Sequence, residues 1–184
     1  GFMNTESIME AQINMPRYQF LMEYCFSKAN VFVIDSEVGI KLKEIQDIKI
    51  GDWVWTHKKR YRRVIQTGNR CYTGKMFRLK YQDGDITEVT SDHKFYFKGA
   101  FISIDKLVKI SDETEMAESE NNMRRFTYEE FYVENKIVYD FSVEEDNSFT
   151  LKNATVHNCS LFPADSDGFY PVSLLNNPGE CQTV

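Results

Sequence analysis

The stretch KMFRLKYQDGDITEVTSDH, Lys75 to His93, decides the fold class. Phe77, Leu79 and Tyr81 alternate with Arg78 and Lys80, the period-two pattern of a strand with one apolar face. Asp83-Gly84 supplies turn residues, and Ile86 to Thr90 resumes an extended, β-branched run, so the whole reads as a hairpin. The same grammar continues outward. VFVI (Val31 to Ile34) is a buried-strand run, and Gly51-Asp52 is a turn ahead of WVW. Tyr139, Phe141 and Val143 alternate with Asp140 and Ser142, while Phe149 to Leu151 and Ala154 to Val156 are short enough to be strands. Many short strands separated by turns predict a mostly β domain. SDETEMAESENN (Ser111 to Asn122) has no apolar period and reads as a solvated loop or a short surface helix. At the ends, Pro16 followed by Tyr18, Leu21 and Met22 at helical spacing predicts a short helical N-terminal flank. Pro163, Pro171 and Pro178 with Gly168 and Gly179 predict an irregular C-terminal flank.

Composition narrows the function classes. In 184 residues, 42% hydrophobic and 14% aromatic content supplies a packed core and excludes a disordered chain. No apolar run approaches the ~18 residues of a membrane span, and residues 1–24 lack a signal-peptide pattern, so the chain reads as soluble. A net charge of −6 argues against nucleic acid as a partner. Four cysteines without a CxxC pair, and three histidines without zinc spacing, predict neither a disulfide scaffold nor a metal site. The charge is uneven: −2 falls on residues 1–24, −3 on residues 159–184, and the remaining −1 on residues 25–158, which hold nearly every basic residue. A cysteine stands at each of those two borders.

Four features then fall in one order along the chain. Cys25 opens the β pattern, Thr90-Ser91-Asp92-His93 follows a strand, Asp140 lies in VYDFSV, and His157-Asn158-Cys159 follows the last apolar triplet. Singly each has a bland explanation: a packing cysteine, a chance TxxH whose histidine is a satisfied core or surface residue, and an Asn turn. Together they resemble the motifs of the self-splicing inteins, whose domain shares its fold with the autoprocessing Hedgehog module. CFSKANVFV and GIKLKEIQDIKIGDWV (Gly39 to Val54) are similar to the N-terminal motif, and GDITEVTSDHKFY (Gly84 to Tyr96) to the second. IVYDFSVEEDNSF (Ile137 to Phe149) and TVHNC (Thr155 to Cys159) are similar to the two C-terminal motifs. Asn147 stands where many members of the family carry histidine, which bears on a secondary proton-transfer role.

The resemblance implies a compact, horseshoe-like Hint domain at 25–158, a mini-intein without a homing endonuclease, between an N-terminal host fragment (1–24) and a C-terminal one (159–184). It implies single-turnover self-splicing. Cys25 attacks the Tyr24 carbonyl to form a thioester, because a thiolate is a strong nucleophile. His93 protonates the departing amide nitrogen, and Thr90 hydrogen-bonds the same region. Cys159 takes the acyl group, and Asp140 ionises or orients the cysteines. Asn158 cyclises to cut the Asn158–Cys159 bond while His157 polarises the carbonyl, and an S-to-N acyl shift completes the joint. The products are a 134-residue domain and a 50-residue ligated peptide. No cofactor, metal, membrane or nucleic acid is needed. The partners are the chain's own flanks, in a monomer, or a complementary fragment if the protein is naturally split. The joined flanks, MPRYQFLMEY-CSLFPADSDGFYPVSLL, resemble a segment of phage large terminase subunits, which implies the cytoplasm of a phage's host.

Two other classes stay open: a cysteine hydrolase using Cys25 and His93, and a non-catalytic viral interaction module. HKKRYRR (His57 to Arg63) is basic and aromatic enough to touch nucleic acid, but in an acidic protein reads as a solvated hairpin tip. Cys71 matches no splicing position and reads as packing, and Cys181 lies in the C-terminal flank.

Overall fold

The computed structural model describes residues 25–110, 114–117 and 123–158. The expected flanks, with Tyr24 and Cys159, lie outside the described residues.

The quoted hairpin is present: β5 (Tyr61–Tyr81) turns at Asp83-Gly84 into β6 (Ile86–Thr90), pairing from Lys80↔Ile86 to Met76↔Thr90. Gly84 takes φ +89°, which a side chain would oppose. Phe77, Leu79 and Tyr81 are buried as their alternation requires. Ahead of β5 come β1 (Phe26–Lys28), β2 (Asn30–Asp35), β3 (Gly39–Glu44) and β4 (Trp53–Trp55). After β6 come β7 (Lys94–Phe97), β8 (Ala100–Ser103), a single helical turn α1 (Ile104–Leu107), β9 (Thr114–Ala117), β10 (Met123–Val143), β11 (Ser148–Thr150) and β12 (Thr155–His157). The chain is mostly β.

Two 21-residue strands organise the body. β10 runs antiparallel to β5 from Phe126↔Tyr81 to Val143↔Val64. β5 also pairs with β4 at one end and β6 at the other, giving an eight-stranded sheet in the order β3-β2-β4-β5-β6-β1-β10-β9. A smaller sheet, β11-β12-β7-β8, carries the C-terminal end of the domain. The core between them contains Phe26, Phe77, Phe95, Phe141 and Phe149. Phe141 and Phe149 lie 4.0 Å apart by ring centroid, and Phe26 and Phe149 6.0 Å. Burying an aromatic of this size contributes about 1.5–3 kcal/mol. Phe26 therefore pins its neighbour Cys25 into the core.

Three sequence readings change. Residues 114–117 are a strand, not a loop or helix, paired with β10 from Thr114↔Phe126 to Ala117↔Met123. An edge strand of this kind needs only main-chain partners, so apolar periodicity gives no sign of it. The basic tip is a hairpin turn, closed by Thr56 N–H to Arg60 C=O at 2.9 Å, with Lys58 and Lys59 exposed as expected, but its base is docked: Arg60 reaches the buried Asp146. Cys71, expected from the sequence just before a strand, lies inside β5 opposite Ile137. Among the described residues, no helix is long and apolar enough to cross a membrane.

Candidate active site

Thr90 ends β6, and His93 N–H donates to the Thr90 carbonyl at 3.2 Å, closing a tight turn. The TxxH spacing is thus the i, i+3 geometry of a β-turn, which sets the two side chains side by side. The helical turn α1 braces it, with Ile104 N–H on the His93 carbonyl at 2.8 Å and Asp105 N–H on the Ser91 carbonyl at 3.1 Å.

Cys25 is fully buried, and Thr90 grips its main chain twice. The Cys25 N–H donates to Thr90 Oγ1 at 3.0 Å, and the Thr90 N–H donates to the Cys25 carbonyl at 2.9 Å. The first bond holds the nitrogen of the Tyr24–Cys25 peptide itself. β1 pairs with β10 at Phe26↔Tyr139, so the antiparallel register sets Asp140 beside Cys25. Asp140 is buried, not solvent-facing as simple alternation in β10 predicts, and its Oδ1 accepts the Phe141 N–H at 2.7 Å.

His93 is fully buried and packs on Phe26 with ring centroids 4.3 Å apart. Its Nε2 lies 2.8 Å from the His157 carbonyl. A carbonyl only accepts, so Nε2 carries the proton. Burial pushes the imidazole down to about 3, which makes it neutral at pH 7 and leaves the lone pair on Nδ1.

The C-terminal end is assembled by β12 and the turn after β10. His157 Nδ1 sits 2.5 Å from the Asn158 carbonyl oxygen, and burial lowers the pKa of this histidine too. Asn158 is buried; its N–H donates to the Asn147 carbonyl at 2.9 Å, and its Oδ1 faces the Val143 N–H at 3.4 Å. A donor on Oδ1 decides which branch of the amide is oxygen and leaves Nδ2 as the nucleophile. Val143 is available because the β5–β10 register shifts between Ser142 and Val143, a bulge of the kind that re-aims groups near sites. Asn147 takes φ +53°, a left-handed conformation in which asparagine is among the residues best tolerated.

Of the sequence-predicted residues, Cys25, Thr90, His93, Asp140, His157 and Asn158 converge here, while Tyr24 and Cys159 lie outside the described residues. Phe26, Val143 and the main chain of Asn147 also contribute. Their roles use packing and backbone groups, and residue type carries no trace of those.

Antiparallel sheets built on two long paired strands, arranged as in solved inteins, make the fold that of inteins, the Hint fold. The particular likenesses are to solved structures. The solution structure of a bacterial intein-like domain from Clostridium thermocellum superposes with TM-score 0.57 at 22% identity, covering 73% of this chain and 98% of that one. The crystal structure of the gp41-1 intein superposes with TM-score 0.52 at 18% identity, covering 71% and 98%. A DnaB intein from Synechocystis sp. PCC 6803 gives TM-score 0.53 at 16% identity, covering 73% and 98%. No protein-family model and no curated protein matches the chain.

Proposed function

We propose that the chain is a self-splicing mini-intein that excises residues 25–158 and joins the flanks, turning over once. The observation that carries this reading is the pair of contacts at the two junctions: Thr90 Oγ1 on the Cys25 N–H at 3.0 Å, and His157 Nδ1 on the Asn158 carbonyl at 2.5 Å. A protein in which these residues merely packed has no need to polarise the two peptide groups that splicing breaks.

The steps follow from the residue types. Cys25 Sγ attacks the Tyr24 carbonyl carbon, and the carbon–nitrogen bond breaks to leave a thioester and a free Cys25 amine. His93 Nδ1 relays the thiol proton to the leaving nitrogen without holding it, since burial makes the imidazole a weak base and its protonated form a strong acid. The Cys159 thiolate then attacks the thioester and releases the Cys25 thiol. Asp140, set beside Cys25 by strand register, receives or returns the proton in this exchange. Asn158 Nδ2 attacks its own carbonyl carbon, His157 Nδ1–H stabilises the oxygen as charge develops, and the Asn158–Cys159 bond breaks. The freed Cys159 amine attacks the thioester, restoring an amide.

The bond between His93 and the His157 carbonyl also supports this reading, because it ties the two junctions to one side chain. The test uses Cys25→Ala and Asn158→Ala in the full chain, followed by mass. The first should remove thioester-dependent products, and the second should stop release of the C-terminal flank while leaving Tyr24–Cys25 cleavage by added thiol. Identical behaviour of both variants and the unaltered chain would overturn the proposal.

A further inference from the structure

The basic run at 57–63 plays no part in the steps above, yet its first residue is built into the C-terminal end of the site. Its anchor is Asp146, whose side chain is fully buried. Thr56 Oγ1 donates to Oδ2 at 2.6 Å, Arg60 Nε to Oδ2 at 2.9 Å, and Arg60 Nη2 to Oδ1 at 2.5 Å. The Arg60 hydrogen bonds hold the carboxyl down to about 2, so it stays charged and the link between the β4–β5 turn and the β10–β11 turn persists at neutral pH.

That link delivers His57 to Ser148. The His57 N–H donates to Ser148 Oγ at 3.0 Å, and the ring Nδ1 lies 2.6 Å from the same oxygen. One hydroxyl does both, accepting the amide proton and donating its own to the ring nitrogen. Ser148 is the partner of His157 across β11 and β12. Phe101 contacts both imidazoles, with centroids 5.1 Å from His57 at 76° and 5.0 Å from His157 at 89°.

We infer that His57 is a positioning residue for C-terminal cleavage: held by Ser148, it fixes Phe101, and through Phe101 the plane of the His157 ring against the Asn158 carbonyl. Terminal ring torsions are broad, so an imidazole in a strand does not select its own plane. Edge-to-face contact with an aromatic ring is directional and selects one. The neighbour must itself be held, and His57 closes that side. The inference rests on the splicing reading.

The test separates the two junctions. In a Cys25→Ala chain, Asn158–Cys159 cleavage is measured alone; in an Asn158→Ala chain, thiol cleavage at Tyr24–Cys25 is measured alone. His57→Ala should slow the first about tenfold or more and change the second less than about twofold, since small misplacements at a reacting group cost rate steeply. His57→Asn, which keeps a polar atom near the Nδ1 position, should recover part of the loss. In the inert double variant Cys25→Ala/Asn158→Ala, His57→Ala should also shift the ring-proton resonances of His157, which lie in the ring current of Phe101. Equal slowing at both junctions, no slowing, or unmoved His157 resonances would overturn the inference. Should His57→Ala not fold, Ser148→Ala carries the same expectation and the same contrary result. If neither parent chain cleaves at all, the splicing reading itself has failed and this inference falls with it.

Discussion

His93 Nε2 lies 2.8 Å from the His157 carbonyl oxygen, and those residues are 64 apart in sequence. One imidazole therefore touches the segment that holds Asn158 while its other face packs on Phe26, the neighbour of Cys25. On the splicing reading, the two reacting peptide bonds therefore share one buried group. Displacing His93 should disturb both ends. In His93→Ala, both single-junction reactions should slow by about hundredfold, within the range for loss of a positioned acid or base. The check is the rate of each cleavage in the Cys25→Ala and Asn158→Ala backgrounds.

The Thr90 hydroxyl accepts the Cys25 N–H at 3.0 Å. Removing its hydroxyl leaves the buried Cys25 N–H without its acceptor, a cost of about 1–3 kcal/mol. If splicing uses the gripped amide, Thr90→Ala should slow thiol-dependent cleavage at Tyr24–Cys25 by about five- to hundredfold. Cleavage after Asn158 should keep its rate, and Thr90→Ser should restore most of the loss.

Acid should destabilise the domain through its histidines. The His93 pKa is depressed by burial to about 3 against an ordinary value of 6.5, so between those pH values the unfolded chain binds the proton and the folded chain does not. Stability therefore rises with pH across that window and falls on acidification, by up to about 1.4 kcal/mol per pH unit from this group. Burial lowers His57 and His157 as well, in the same direction. Between 3.8 and about 2 the unfolded chain's Asp146 binds a proton that the folded one does not, so its hydrogen-bonded contribution is lost in turn. Urea midpoints of the inert Cys25→Ala/Asn158→Ala chain from pH 7 to pH 4 check this. A flat profile would show that His93 titrates normally.

Asn147 is held at φ +53° while its carbonyl receives the Asn158 N–H. Asn147→Gly should leave stability within about 0.5 kcal/mol, because glycine accepts this conformation. Asn147→Val should cost about 1–2 kcal/mol from left-handed strain. It should also slow C-terminal cleavage, since the turn that holds Asn158 shifts with it. Thermal unfolding and the cleavage rate in the Cys25→Ala background measure the two effects.

The parts legible in the sequence are those that one-sided burial writes as a period of two. Phe77, Leu79 and Tyr81 announce their strand, and Asp83-Gly84 its turn. Thr90 and His93 are legible as a pair because three-residue spacing is turn geometry. Asp140 and Ser142 mislead, since alternation points them outward while the end of β10 is buried on both faces. The hairpin tip misleads more, because the partner that docks Arg60 is 86 residues away and a basic run alone does not name it. Thr114 to Ala117 leaves no pattern, since its strand is held by main-chain pairing.

An intact-mass time course of freshly made, unaltered chain in reducing buffer tests the central claim most directly. Splicing predicts that the 184-residue species gives way to a 134-residue domain and a 50-residue ligated peptide in equal amounts. A single unchanging mass, or flanks released separately with no ligated peptide, would contradict it.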